Sequence, residues 1–100
     1  MDNKEYLASL LREGKITEFN EKRPYPAVDL SGVDLQMAEL TGTNFSGANL
    51  SGANLSDANI DFVNFWGANL YGVRGLTSRQ YELFIIHLEM SWRPEKEPKH

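Results

Sequence analysis

The sequence predicts an all-β solenoid: a chain that turns a corner every five residues, four corners to a coil, with a helix closing each end. Three observations predict it. Apolar residues recur at a spacing of five, at Leu30, Leu35, Leu40, Phe45, Leu50, Leu55, Ile60, Phe65 and Leu70. Two residues before each stands a small or β-branched one: Val28, Val33, Ala38, Thr43, Ala48, Ala53, Ala58, Val63 and Ala68. The two aromatic centres, Phe45 and Phe65, lie twenty residues apart, the length of one coil with four sides of five.

No ordinary element holds a period of five. Five residues at about 100° each advance a helix by about 500°, so successive centres scatter around its axis. In a flat strand an odd period sends alternate centres to opposite faces. A chain that bends after every fifth residue keeps all nine centres pointing inward, and these form the predicted structural core. Small residues at the second inward position let the walls close together. Asp29, Asp34, Glu39, Asn44, Asn49, Asn54, Asn59, Asn64 and Asn69 directly precede the centres, where short Asp and Asn side chains hydrogen-bond the backbone of a turn. Glycine follows two after the centre in six of the nine units and eases the corner. Stacking Phe45 under Phe65 is sensible packing, because one large ring among leucines leaves a void.

Ala48-Asn49-Leu50-Ser51-Gly52, Ala53-Asn54-Leu55-Ser56-Asp57 and Ala68-Asn69-Leu70-Tyr71-Gly72 resemble the motif of the pentapeptide-repeat family: a small residue, Asp or Asn, Leu or Phe, then two variable positions. The resemblance covers residues 28–72, with a tenth unit, Val73 to Thr77, that starts in phase and loses it. It implies the family's right-handed quadrilateral β-helix, here of about two coils. Leu11, Gly14, Phe19 and Asn20 before the repeats, and Gly75-Leu76-Thr77 after them, also look like family flanks.

The whole chain reads as a single domain in four parts: an N-terminal helical cap over 1–27, the β-helix over 28–76, a C-terminal capping helix over 77–93 and a flexible tail over 94–100. A solenoid this short leans on its caps, which cover open strand edges. Asp2 with Glu5 reads as a capping box opening the first helix. Tyr6, Leu7, Leu10 and Leu11 form its apolar stripe, and Gly14 stands at its C-terminal end. Thr17 starts a short second turn carrying Phe19, and the Pro24-Tyr25-Pro26 segment reads as extended. Thr77 with Gln80 makes another capping box. Tyr81, Phe84, Ile85 and Leu88 line one side of the final helix, and Leu83, Ile86 and Met90 a second. Pro94 ends it.

Composition narrows the function. One hundred residues, 41% hydrophobic and 24% charged, suffice for one small folded domain. The absence of cysteine excludes disulfides, thiolate zinc sites and a cysteine nucleophile. No apolar run reaches the ~20 residues of a membrane span, and the charged N-terminus lacks the apolar stretch of a signal peptide, so the expected location is cytoplasmic. Net charge is −4, but residues 28–72 hold Asp29, Asp34, Glu39, Asp57 and Asp61 and neither Lys nor Arg. Such a stretch makes no phosphate-binding surface, so no direct nucleic-acid binding is expected. The simplest reading is a polar surface that keeps a solenoid soluble; the alternatives are repulsion of nucleic acid and attraction of a basic partner.

Nothing assembles a catalytic centre, a cofactor site or a metal site. His87 and His100 have no second ligand at suitable spacing, the glycines form no phosphate loop, and Ser31, Ser46, Ser51 and Ser56 lack a base. The expectation is a non-enzymatic protein-interaction or scaffold module with no cofactor. Phe62, Trp66 and Tyr71, with Met37, break the polar pattern of the outward positions, on different walls; the C-terminal helix or tail folding back over some of them is one reading, and candidate partner-binding residues are the other. Leu83, Ile86 and Met90 on the second side of the last helix face the same choice: packing on a wall of the same chain, or a partner surface, a two-fold dimer being favoured. The resemblance supplies an alternative: some pentapeptide-repeat proteins modulate DNA gyrase by imitating the charge and shape of duplex DNA.

Overall fold

In the computed structural model, residues 3–77 and residue 80 are described. They hold two helices, α1 (Asn3–Arg12) and α2 (Ile16–Lys22), followed by a coil of isolated parallel bridges. The bridges pair Asp29 with Asn49, Asp34 with Asn54, Glu39 with Asn59 and Asn44 with Asn64, then Asn49 with Asn69 and Asn54 with Arg74. Every pairing spans twenty residues, and four fall in each turn of the coil, so the coil has four sides. We number the walls by their units: wall one (28–32, 48–52, 68–72), wall two (33–37, 53–57, 73–77), wall three (38–42, 58–62) and wall four (43–47, 63–67). Among the described residues there is no continuous strand. Each side keeps only three residues between two-residue turns, and only the middle one forms a bridge.

The corner explains the sequence pattern. The amide after each turn donates to the carbonyl of the preceding centre, as from Ala48 to Phe45 at 2.9 Å and Ala53 to Leu50 at 2.9 Å. The second corner residue has positive φ throughout, from Gly32 (72°) to Gly72 (71°), which is the demand of a type II turn and the reason glycine dominates there. At eight of the nine positions before a centre an Asp or Asn side chain accepts the amide two residues on, among them Asn49 from Ser51 and Asn64 from Trp66. Glu39 departs from the rule: its longer side chain instead accepts the Thr41 hydroxyl and the Asn59 amide, each at 2.7 Å.

Between layers, the centre amides donate upward at 2.8–2.9 Å, from Leu30 to Asn49 and from Leu55 to Arg74. The centres close the interior. Leu30, Leu35, Leu40, Phe45, Leu50, Leu55, Phe65 and Leu70 are all buried, with Ala48, Ala53 and Ala68 between them. Ile60 differs in being only partly buried, as are Ala58 and Val63, because walls three and four have two repeat layers where walls one and two have three. Thr43 is buried as well, its hydroxyl donating to the Leu40 carbonyl at 2.7 Å.

The N-terminal cap buries Leu7, Ala8, Leu10 and Leu11 of α1 against the first coil. Tyr6, expected on that stripe, instead lies outside the core, its hydroxyl donating to Glu18 of α2 at 3.0 Å. Ala8 takes the inward place, since small residues let the helix sit close. Gly14, with φ 77°, closes α1 in a Schellman arrangement: its amide donates to Leu11, and that of Lys15 to Leu10. Phe19 of α2 is fully buried and meets Phe45 edge-on at 5.8 Å, and Phe45 meets Phe65 at 5.8 Å. The aromatic column read from the repeats therefore extends into the cap.

The cap also supplies what a coil below the first would have given. Higher up, the carbonyls of Asn64 and Trp66 accept the amides of Phe45 and Gly47. In the first coil the corresponding carbonyls, Asn44 and Ser46, have no repeat beneath them. Arg23 fills the place: its guanidinium donates to Asn44 at 2.7 Å, to Ser46 at 2.8 Å and to Pro26 at 3.2 Å. Asn20 does the same nearby, donating to the Gly42 carbonyl and accepting the Asn44 amide, and Arg12 donates to the Asp34 carbonyl at 3.0 Å. Side chains thus stand in for a strand along an edge that would otherwise be open. At the other end, the Thr77 and Gln80 capping box is present, each side chain accepting the other's amide. The rest of the expected C-terminal helix lies outside the described residues.

Candidate functional site

The interior is filled and the backbone paired, so chemistry is confined to the outward side chains. The serines expected on the walls donate to their own repeat: Ser31 to Asp29, Ser46 to Asn44, Ser51 to Asn49 and Ser56 to Asn54, at 2.7–2.8 Å. Each hydroxyl proton is already engaged within its own repeat, by the Asp29 carboxylate for Ser31 and by neutral Asn side-chain oxygens for the other three. Among the described residues no group of His, Cys, Asp and Glu is placed to hold a metal ion. His87 and His100 lie outside them.

The outward apolar residues occupy the corners. Met37 stands at the corner between walls two and three and is 73% exposed; Phe62 stands between walls three and four and is 90% exposed. Trp66 and Tyr71 follow at the corners after walls four and one, also exposed. The candidate residues Phe62, Trp66 and Tyr71 are therefore spread over three corners and do not merge into one patch. Leu83, Ile86 and Met90 lie outside the described residues.

Sequence reasoning missed Tyr25. It is exposed and, with Pro26 and Trp66, lines an open groove of about 310 Å³ whose floor is Ser46, Gly47 and Gly67. The Tyr25–Pro26 peptide bond is cis. The signal available was the pair of prolines that holds Tyr25 in the lead-in to the first coil, directly below the Ser46 and Trp66 corner. Two rings, a proline and two glycines make this groove a concave apolar feature beside one of the late aromatics.

Electrostatics divide the walls. Asp29 is held below its ordinary pKa, first by the Ser31 amide, then by the Ser31 hydroxyl and by Lys4. The Gln36 amide and side chain do the same for Asp34, aided by Arg12 and Arg74. Burial lowers the pKa of the Arg23 guanidinium, whose partners are carbonyls. Glu39, Asp57 and Asp61 form no ion pair among the described residues, where the two pairs are Arg12–Glu5 and Lys15–Glu13. Among the described residues no helix is long and apolar enough to cross a membrane.

Comparison with known proteins agrees with this geometry. A family model described as pentapeptide repeats matches residues 27–47 and 38–74, in eight copies. Neither the curated proteins nor the solved structures yield a match.

Proposed function

The chain belongs to the pentapeptide-repeat family through residues 27–74, and on that premise we propose that it is a non-enzymatic protein-interaction module built on a short right-handed quadrilateral β-helix. One observation carries the reading: large apolar side chains, Phe62 and Trp66 foremost, stand exposed at the corners of a rigid, internally satisfied coil. Apolar surface left in water on a folded domain is characteristic of interaction sites, and aromatic residues are enriched in the cores of interfaces. The repeats supply rigidity, so binding there orders few side chains and loses little to conformational entropy.

The test is capture of partners by the immobilised protein, comparing wild type with Trp66→Ala and Phe62→Ala. A partner retained by wild type and lost by either variant supports the module. Recovery of the same partners by all three proteins refutes the corners as the docking site. The proposal includes a homodimer through Leu83, Ile86 and Met90, which light scattering checks against the 11.3 kDa of one chain.

The acidic repeats also favour a second reading, a DNA-mimicking modulator of DNA gyrase. Three layers at about 4.8 Å spacing rise only about 10 Å, against about 34 Å for one turn of DNA, so imitation of a duplex needs more length than this coil has. No effect on gyrase supercoiling at high molar excess eliminates it.

A further inference from the structure

The four walls are unequal, and wall three stands apart in two independent ways. The first is conformational. Nine second-corner positions carry positive φ, and six are glycine. The three that are not, Met37 (61°), Asp57 (61°) and Phe62 (59°), all lie on the two corners that bound wall three. The corners after walls one and four carry glycine at every layer: Gly32, Gly52 and Gly72, then Gly47 and Gly67. A left-handed conformation is unfavourable for a residue with a Cβ, and Met37 and Phe62 hold it while their apolar side chains stand 73% and 90% exposed. Neither the turn nor the core requires a side chain there.

The second is electrostatic. Between those corners wall three presents Glu39, Thr41, Asn59 and Asp61, with Asp57 at its edge. Three of the five acids of residues 28–72 are thus gathered on one wall and its border. The other two have cations close by. Lys4 donates to Ser31, beside Asp29. Arg12 donates to the Asp34 carbonyl, and Arg74 lies in the same stacked column as Asp34. Wall four has Arg23 beneath it. Beneath wall three, the cap offers the neutral side chain of Asn20, which donates to Gly42.

We propose that wall three, from Met37 and Asp57 across Glu39 and Asp61 to Phe62, is the docking surface for a Lys- and Arg-rich protein segment that lays an apolar side chain against Phe62. The inference rests on the interaction-module reading and names the partner's chemistry. Charge complementarity selects this occupant. A second copy brings a net −4 chain toward an acidic wall, and like charges disfavour that pairing. The chain's own residues 81–100 hold four acids and three bases and supply no cationic excess. A wall two layers high is small for an interface, so the contact is weak, fast and salt-sensitive.

The experiment is a titration of the isotope-labelled full-length protein, followed by backbone amide shifts. The probe is a synthetic peptide of alternating Lys and Leu; an alternating Glu and Leu peptide and an alternating Lys and Ser peptide are the controls. The Lys–Leu peptide is expected to shift the amides of Glu39, Asn59, Asp61 and Phe62, the Lys–Ser peptide to bind more weakly, and the Glu–Leu peptide to leave them unmoved. Glu39→Gln and Asp61→Asn each weaken binding about two- to five-fold at low salt, an effect that fades near 0.5 M salt. Phe62→Gly, which suits the left-handed corner and keeps the fold, weakens it about ten-fold.

Shifts centred on Asp29 and Asp34, or on the Tyr25 and Trp66 groove, overturn this proposal while leaving an interaction module standing. So does unaltered binding by Phe62→Gly, or no binding of the Lys–Leu peptide. Shifts of the wall-three amides on simple dilution assign the wall to a second copy, and contacts from residues 81–100 to Phe62 assign it to the chain itself; either result overturns it too. Failure of the immobilised wild-type protein to retain any partner in the capture experiment, by contrast, removes the module reading itself.

Discussion

Replacing Arg23 by methionine tests the idea that side chains of the cap act as a missing strand. Arg23 is 8% exposed and holds the carbonyls of Asn44, Ser46 and Pro26 at 2.7, 2.8 and 3.2 Å. Methionine keeps much of the stem packing but donates nothing. A hydrogen bond to a charged group contributes about 1.5–3 kcal/mol, and two of these are short. Burial of the guanidinium, which lowers its pKa, offsets part of the gain, and water reaches the half-buried Asn44 and Ser46 once the side chain is gone. The net loss is then about 2–4 kcal/mol, a large share of a typical total of about 5–15 kcal/mol. With a urea slope of about 1–1.5 kcal/mol per molar, the unfolding midpoint followed by circular dichroism falls by roughly 1–4 M. Arg23→Lys recovers little of it, because one ammonium does not span two carbonyls as a planar fork does. Lys22→Met, on the exposed side of α2, changes stability by less than about 0.5 kcal/mol. A midpoint for Arg23→Met equal to wild type, or full recovery by lysine, refutes the surrogate-strand argument.

Phe19→Ala removes the base of the aromatic column and destabilises by about 3–5 kcal/mol in the same urea assay. Phe62→Gly relieves a left-handed corner, a gain of about 1–2 kcal/mol reduced by the freer unfolded chain, about 0.4–1 kcal/mol; thermal melts should show it slightly more stable than wild type even as it loses the peptide. Gly75→Ala disrupts the third layer of wall two, because a Cβ there overlaps the Ser56 backbone, and amide exchange at Leu55, which donates to Arg74, quickens. Asp29 and Asp34 have folded pKa values below the ordinary 3.8, so the stability they contribute is fully present above that value and is lost as pH falls through their folded pKa values. Urea midpoints measured from pH 7 down to 2 should drop in that lower range, and Asp34→Asn should flatten part of the drop.

The sequence by itself determined the coil. A period of five with inward Leu and Phe, a small residue two before and Asn or Asp one before has one compact solution, and each component acts locally. Asn49 reaches only to Ser51, and the turn closes from Phe45 to Ala48. The four sides were also hinted at, because Phe45 and Phe65 lie twenty residues apart and large rings pack well in one column. The Thr77 and Gln80 box was legible for the same reason, being a contact three residues long. What the tertiary structure decided depends on groups far apart in sequence. Arg23 reads as one more surface cation until Asn44 and Ser46 are seen waiting above it. Tyr6 belongs to the helix stripe until Glu18 draws its hydroxyl outward. Tyr25 and Trp66 become a groove only when the lead-in segment lies under wall four. The inequality of the walls is also tertiary: along the chain Met37 and Phe62 are separate apolar breaks in the outward pattern, and stacking at twenty residues sets them, with Asp57, around the same acidic side. Short-range turn chemistry is written in adjacent letters, whereas satisfaction of an open edge and the sharing of a face arise only after the coil has closed.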